Sequence, residues 1–437
     1  SWSSSSSYMS AKSIASDSLG NNYIVWNFNS ATPTFWNIRF TSSWSEDAYI
    51  AKQSVTGVRL RAQKIGSPYY EYLNSTSISQ NWSIYVVWNS TMAQWLTIWT
   101  NVFASGWIFV AQIATNGTWW RAQRVWWDYQ STQLQSIEAD KNWDLYIAGE
   151  FSGSASFWNT TLSTPNYEVF IAKLSNTWAW IRAQKAVSNT ATNSNDHIWD
   201  ISIDSSGNIY MLWYYAFDIT FWPYRINNNW YTTPFLTKIS NTWEWIRAQS
   251  LWTTWWQWFY ADWKKIEFDN EWNIYVAWNL SWTMLFWWPV YNTWVSHGYM
   301  AKLSSTWVGI WARDFSWTQD MKFDLDPKWN IYAAWTFYQY ITLGNKTLTA
   351  SGRQDLFVAK LNSWWSLQWT QQWWWTWGDF SNDITVSPDG TPSILWNYYY
   401  WTTTLWWTKL VSSSSYNLFT WTPVYNADIS LLAWTYT

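Results

Sequence analysis

The chain has 437 residues, a formal net charge of −3, no cysteine, and charged residues at only 12%. That composition excludes a disulfide framework and a Cys-ligated metal site, and the lack of a basic run argues against nucleic acid as a partner. No run of about 18 apolar residues is present, so no membrane insertion is expected in this segment.

In chain order, the first predicted element alternates apolar and polar residues and closes on Asp17. The strand Asn22-Tyr23-Ile24-Val25 follows, then a polar stretch of about 20 residues, then Ala48-Tyr49-Ile50-Ala51-Lys52 and a last strand holding Arg61. The second pass begins at Ile84-Tyr85-Val86-Val87 and carries Arg121. The third runs from Asp140 through Leu145-Tyr146-Ile147-Ala148 to Phe170-Ile171-Ala172-Lys173 and Trp180-Ile181-Arg182. Ile201-Ser202-Ile203-Asp204, Ile209-Tyr210-Met211-Leu212 and Trp245-Ile246-Arg247 make the fourth. Asp269, Ile274-Tyr275-Val276-Ala277 and Tyr299-Met300-Ala301-Lys302 mark the fifth. Asp326, Ile331-Tyr332-Ala333-Ala334 and Phe357-Val358-Ala359-Lys360 mark the sixth, and the seventh degenerates to Pro392-Ser393-Ile394-Leu395.

Tyr23 and Ser393 are thus separated by six intervals of about 62 residues, and the copies fill the chain. Short β-type segments at even spacing, four to a repeat and without helical periodicity, predict an all-β, seven-bladed β-propeller. A single domain over 1–437 is expected, with blades near 1–67, 68–127, 128–188, 189–252, 253–317, 318–375 and 376–437. A variable ribbon is expected between the second and third strands of each blade. The sequence opens at Ser1 without an initiator Met, so it is expected to be part of a longer chain whose export signal lies elsewhere.

The chain holds 52 Trp and 14 Gly, the reverse of ordinary usage. Three residues before the landmark tyrosine stand Gly20, Trp82, Trp143, Gly207, Trp272, Trp329 and Gly390. Three residues after it stand Trp26, Trp88, Gly149, Trp213, Trp278, Trp335 and Trp396. A third column holds Gly57, Gly117, Trp178, Trp243, Trp307 and Trp365. No side-chain chemistry accepts the smallest and largest residues and rejects all others. Asp204-Ser205-Ser206-Gly207 reads as a turn with Asp first and a positive-φ Gly fourth, where a bulky residue costs about 1–2 kcal/mol. Most of these tryptophans are therefore expected to be glycines in the living protein, their UGA codons read as Trp. Trp119, Trp180, Trp245, Trp311 and Trp369 fall outside the columns and read as genuine.

With glycine restored, Asp140-Lys141-Asn142-Trp143-Asp144-Leu145-Tyr146-Ile147-Ala148-Gly149-Glu150-Phe151-Ser152-Gly153, then Phe157-Trp158 and Phe170-Ile171-Ala172-Lys173-Leu174, resembles the SBBP repeat family. The resemblance covers all seven copies, although the second is irregular and the seventh lacks the tyrosine and the Ala-Lys pair. It implies a seven-bladed β-propeller from a large secreted or surface bacterial protein, and it brings no catalytic motif.

The candidate chemistry is thin. Asp17, Asp140, Asp204, Asp269 and Asp326, with Gly20, Gly207 and Gly390, read as structural turn residues. The same aspartates offer one carboxylate per turn to a calcium ion, which needs six or more oxygens; no cofactor is therefore expected beyond that possibility of structural calcium. His197 and His297 lack a third His or a Cys for a metal site, and His297 is expected at the surface at a strand entrance. Asp324 and Asp326 would share one strand face, as in a paired-carboxylate glycosidase, but Asp326 is the repeat's turn residue. Arg61, Arg121, Arg182 and Arg247 offer either an anion site or a charged edge that discourages strand pairing. Tyr214, Tyr215, Tyr398, Tyr399 and Tyr400 lie in variable stretches and form the candidate ligand surface.

The expected function is non-catalytic binding or scaffolding, through adhesion or protein interaction, by a module monomeric within a larger extracellular or cell-surface chain. The alternative is a carbohydrate-binding or glycan-active propeller.

Overall fold

In the computed structural model the described residues run from 8 to 433. Not described within that span are 30–33, 36–37, 40–45, 57, 66–70, 79–82, 91–94, 99–100, 105–107, 115–118, 128–131, 187–195, 216–218, 222–223, 227–232, 251–260, 282–284, 287, 290–295, 352–353, 374–378, 399–401, 406–407, 412–416 and 422–431.

All described regular structure is β. Each copy contributes an inner, second, third and outer strand in antiparallel sequence. The first has Tyr8–Ser16, Asn22–Asn29, Glu46–Gln53 and Arg59–Ile65; the fourth has His197–Ile203, Ile209–Tyr215, Thr233–Ile239 and Trp245–Ser250. Five copies form separate four-stranded sheets. The second and third copies share one eight-stranded sheet, because Trp126 and Trp127 pair with Ser156 and Ala155 on the long second strand of copy three. Six larger sheets therefore stand where seven separate blades were expected. The architecture is a β-propeller.

The second strands carry near-continuous apolar runs, as in Ile331–Phe337, where all seven residues are buried. Both faces of each sheet must therefore be covered, and only a neighbouring copy can cover them. Apolar clusters form at every junction between consecutive copies. Tyr23, Val25 and Ile50 of the first copy meet Val86, Trp88 and Phe109 of the second. Leu395 of the seventh meets Ala11, Ile14 and Ile24 of the first.

The inner strands are sheet edges, whose unpaired N–H groups need partners. Side chains of the preceding copy supply them. Asn27 Oδ1 accepts from Leu73 N at 3.0 Å, Glu150 Oε1 from Ile198 N at 3.0 Å, and Thr336 Oγ1 from Ser381 N at 3.2 Å. A register shift in each inner strand, as between Ile198 and Asp200, leaves one residue unpaired on the ladder at that point, and two in the sixth copy, between Gln319 and Lys322.

In six copies a short two-stranded ribbon springs from between the second and third strands; Tyr340–Leu343 paired with Lys346–Thr349 is the best described. In copy three the same connection is an extension of the strands Leu145–Phe157 and Thr160–Leu174.

Nine of the ten described non-glycine residues at positive φ are tryptophans. Trp143, Trp272 and Trp329 have φ of 68°, 61° and 63° in the turn where Gly20, Gly207 and Gly390 have 72°, 79° and 84°. Trp178, Trp243, Trp307 and Trp365 occupy the second such turn at 63–70°. At Gly149 the reason for a small residue is space: a Cβ there would lie 2.1 Å from Gln133 O.

Candidate functional site

The turn aspartates are built into a repeated polar knot. In copy four, Asp204 Oδ1 accepts from Ser206 N at 3.0 Å and Asn208 N at 2.8 Å. Its Oδ2 accepts from Asn208 Nδ2 at 2.7 Å and faces Lys238 Nζ at 3.3 Å, while Lys238 also donates to Tyr210 Oη at 2.6 Å. The Asp–Lys ion pair recurs as Asp17–Lys52, Asp140–Lys173, Asp269–Lys302 and Asp326–Lys360, at 2.9–3.6 Å. Burial alone would raise the Asp269 carboxyl, but the hydrogen bonds from Asn273 and Lys302 outweigh it and hold the group below its ordinary range. Both carboxylate oxygens are engaged by protein donors. Gly20, Gly207 and Gly390 close the turns, each donating its N–H to the carbonyl three residues before it.

A second repeated pair joins the third strand to the outer one. Asp47 Oδ2 lies 2.8 Å from Lys64 Nζ, Glu168 Oε2 lies 3.2 Å from Lys185 Nζ, and Gln372 Nε2 donates to Asp355 Oδ2 at 3.0 Å. Copy five reverses the polarity: His297 stands in the acidic column, with its Nδ1 3.5 Å from Asp314 Oδ2. His297 is 1% exposed, so the expected surface position is corrected. The Tyr299 ring stacks on His297 with centroids 5.9 Å apart. His197 is half-buried, with Nδ1 2.6 Å from Glu150 Oε1.

The inner strands enclose a polar cavity of about 210 Å³ whose lining draws on every copy. Asp200 Oδ2 accepts from Ile266 N at 3.0 Å and its Oδ1 from Ser136 Oγ at 2.8 Å, so it ties three consecutive copies together. Asp383 and Asp324 make similar bonds to Ile14 N and Val386 N. Lys265 Nζ lies 3.1 Å from Glu267 Oε1 and 3.9 Å from Asp324 Oδ1. Burial, reinforced by the charges of Glu267 and Asp200, pushes Glu138 up to about 8. Burial, opposed by Lys265, takes Glu267 up to about 7. Sequence reasoning missed this cluster, because its members come from different copies and no single repeat displays it.

The two carboxylates Asp324 and Asp326 serve separate partners. Asp324 faces the channel at Lys265, and Asp326 belongs to its turn with Lys360 at 3.4 Å. Two members of the arginine row bridge copies: Arg182 Nη1 donates to Thr242 O at 3.2 Å and Arg247 Nη1 to Thr306 O at 2.7 Å. Tyr214 is half-buried with its ring 4.7 Å from Trp199 and 5.5 Å from His197. Tyr215 and Tyr398 end second strands, and nothing of their side chains is described; Tyr399 and Tyr400 lie outside the described residues. Among the described residues, no three His, Asp or Glu side chains are arranged to hold a metal, and no helix is long and apolar enough to cross a membrane.

No family model matches the chain, and no curated protein does. Among solved structures, it is similar to the β-propeller domain of the Trilobed protease from Pyrococcus furiosus, at 9% identity and TM-score 0.48, covering 98% of each chain. It is also similar to hydrazine synthase of Kuenenia stuttgartiensis, at 9% identity and TM-score 0.47, over 88% of this chain and 92% of that one. A PL25 ulvan lyase, described as a polysaccharide lyase, matches at 10% identity and TM-score 0.44, over 79% and 78%. Likeness at this level transfers no chemistry to the present chain.

Proposed function

We propose that this chain is a non-catalytic binding or scaffolding propeller of an extracellular or cell-surface protein, contacting a protein partner through the ribbons between its second and third strands. The observation that carries the reading is positional. Every copy opens the same connection, six of them into a separate ribbon, on a repeated four-stranded frame. Variable segments on a repeated frame are where such architectures place recognition. Replacing the exposed ribbon residues Tyr340, Thr342, Lys346 and Thr347 by alanine, while keeping the buried Ile341, Leu343 and Leu348, is expected to leave the fold intact and weaken adhesion to the partner surface. Unchanged adhesion for this and the other ribbon replacements would refute it.

The alternative is a glycan ligand. Tyr340, 54% exposed on its ribbon, and Tyr167, 38% exposed on the copy-three extension, favour it as stacking platforms. A soluble-glycan titration separates the two readings: binding weakened in Tyr340→Ala supports the glycan, and silence across a broad panel supports the protein partner.

The scaffold is read as seven blades of the SBBP type, with the eight-stranded sheet counted as two. The clusters at every junction, including that between the seventh and first copies, support this count. The left-handed tryptophans are read as native glycines. Their φ values, shared with Gly20, Gly207 and Gly390, support that reading. Function is accordingly not sought in the tryptophan columns.

A further inference from the structure

The junction between copies three and four holds a carboxylate that the fold leaves without a donor. Asp196 immediately precedes the inner strand His197–Ile203, is 4% exposed, and has no hydrogen-bond partner on either oxygen among the described residues. Two more buried acids face it from copy three: Glu168 on the third strand and Glu150 on the second. Both of those are served. Glu168 accepts from Thr164 Oγ1 at 3.0 Å and pairs with Lys185, while Glu150 accepts from Ile198 N and His197 Nδ1. The charged and titratable groups around the junction are thus Glu150, Glu168, Lys185 and His197, with Tyr214 paired opposite His197 on the second strand of copy four. One lysine and one histidine stand against three acids.

An ionised carboxylate so placed, with no donor and two acidic neighbours, is expensive enough that it neutralises instead. Lys185 and His197 are engaged by Glu168 and Glu150, which leaves a proton to neutralise Asp196.

We propose that Asp196 is carried in the folded ring as the neutral acid, and that its ionisation unlatches the inner strand of copy four from the long ribbon of copy three. Burial, then Glu168 and Glu150, raise its titration well above the ordinary carboxylate range. The opened junction exposes Asp196 to water, where it ionises normally. Between those two titration points opening therefore releases a proton, and the opening constant rises about tenfold per pH unit before levelling off. The latch adds a pH response to the binding surface proposed above without depending on it.

Amide hydrogen exchange at Ile198 and Ile201 tests the latch, comparing the parent chain with Asp196→Asn, a neutral side chain of the same shape. The ratio of exchange rates, parent over variant, is expected near one at acid pH and to climb about tenfold per unit above the ordinary carboxylate range. A ratio independent of pH overturns the proposal. Should the variant not fold, infrared difference spectra of the parent with labelled aspartate replace it. A protonated carboxyl band that disappears in step with Ile198 exchange supports the latch, and its absence at neutral pH overturns it.

Discussion

Asp383 and Ile14 are 369 positions apart in sequence, yet Asp383 Oδ2 accepts a hydrogen bond from Ile14 N at 2.9 Å. The same oxygen accepts from Ser13 Oγ at 2.9 Å, and Asn382 Nδ2 donates to Ala11 O at 3.0 Å. The last inner strand thereby fastens to the first. Among the described residues the first and last copies form separate four-stranded sheets, joined by side-chain clasps and the Leu395 cluster.

Cutting that clasp is expected to lower stability. Asp383→Ala removes the acceptor for a backbone N–H and a hydroxyl at a part-buried junction, a loss of about 1–3 kcal/mol. Denaturant unfolding of this variant beside Asn382→Ala measures it, and equal stability to the parent would show that the ring closes without the clasp.

The turn knots predict a graded series. Asp204→Ala leaves Ser206 N, Asn208 N and Lys238 short of a partner, and should cost about 1–3 kcal/mol. Asp204→Asn keeps one acceptor oxygen and should cost less. The same order is expected at Asp326, with unfolding midpoints as the readout.

The tryptophan turns predict a gain. Trp143 is 42% exposed at a φ of 68°, so Trp143→Gly removes strain with little packing lost and should stabilise by about 1 kcal/mol. The reverse experiment is Gly207→Ala at a φ of 79°, expected to destabilise by about 1 kcal/mol. A melting point lowered by Trp143→Gly would argue that the indole there is a native contact.

The channel carboxylates predict a pH profile. Glu138 and Glu267 titrate at about 8 and about 7 in the folded chain, both above the ordinary glutamate value. Between the ordinary and raised values the folded state holds more protons than the unfolded one. Stability should therefore fall as pH rises from about 5 to 8, and Glu138→Gln should flatten the fall. Asp269 and Asp326 are shifted the other way, so their contribution is lost as pH falls through the acid range below the ordinary aspartate value. Thermal melts across pH should accordingly peak in mildly acidic buffer.

The part of this architecture legible in the sequence is the part written within one copy. The Asp–Asn–Tyr spacing in Asp204, Asn208 and Tyr210 is local, and the turn it makes is the turn expected. Features made between copies were not legible. Asn27 reaching Leu73, Asp200 reaching Ile266 and the pairing of Trp127 with Ala155 each join residues with no shared motif. His297 is intermediate. It shares a third-strand position with Asp47, Glu168 and Asp355, and only the outer-strand position of Lys64, Lys185, Gln372 and Asp314 beside it discloses that His297 has a partner.

The proposal that the tight turns holding tryptophan are native glycine turns has one decisive observable. Its most direct test is the mass of the tryptic peptide 142–173 from the protein as its own cells make it, since that peptide contains Trp143 and Trp158, at φ of 68° and 53°. A mass carrying glycine at both positions is predicted. A mass carrying tryptophan at both would contradict the account and return the buried and exposed indoles to consideration as a binding surface.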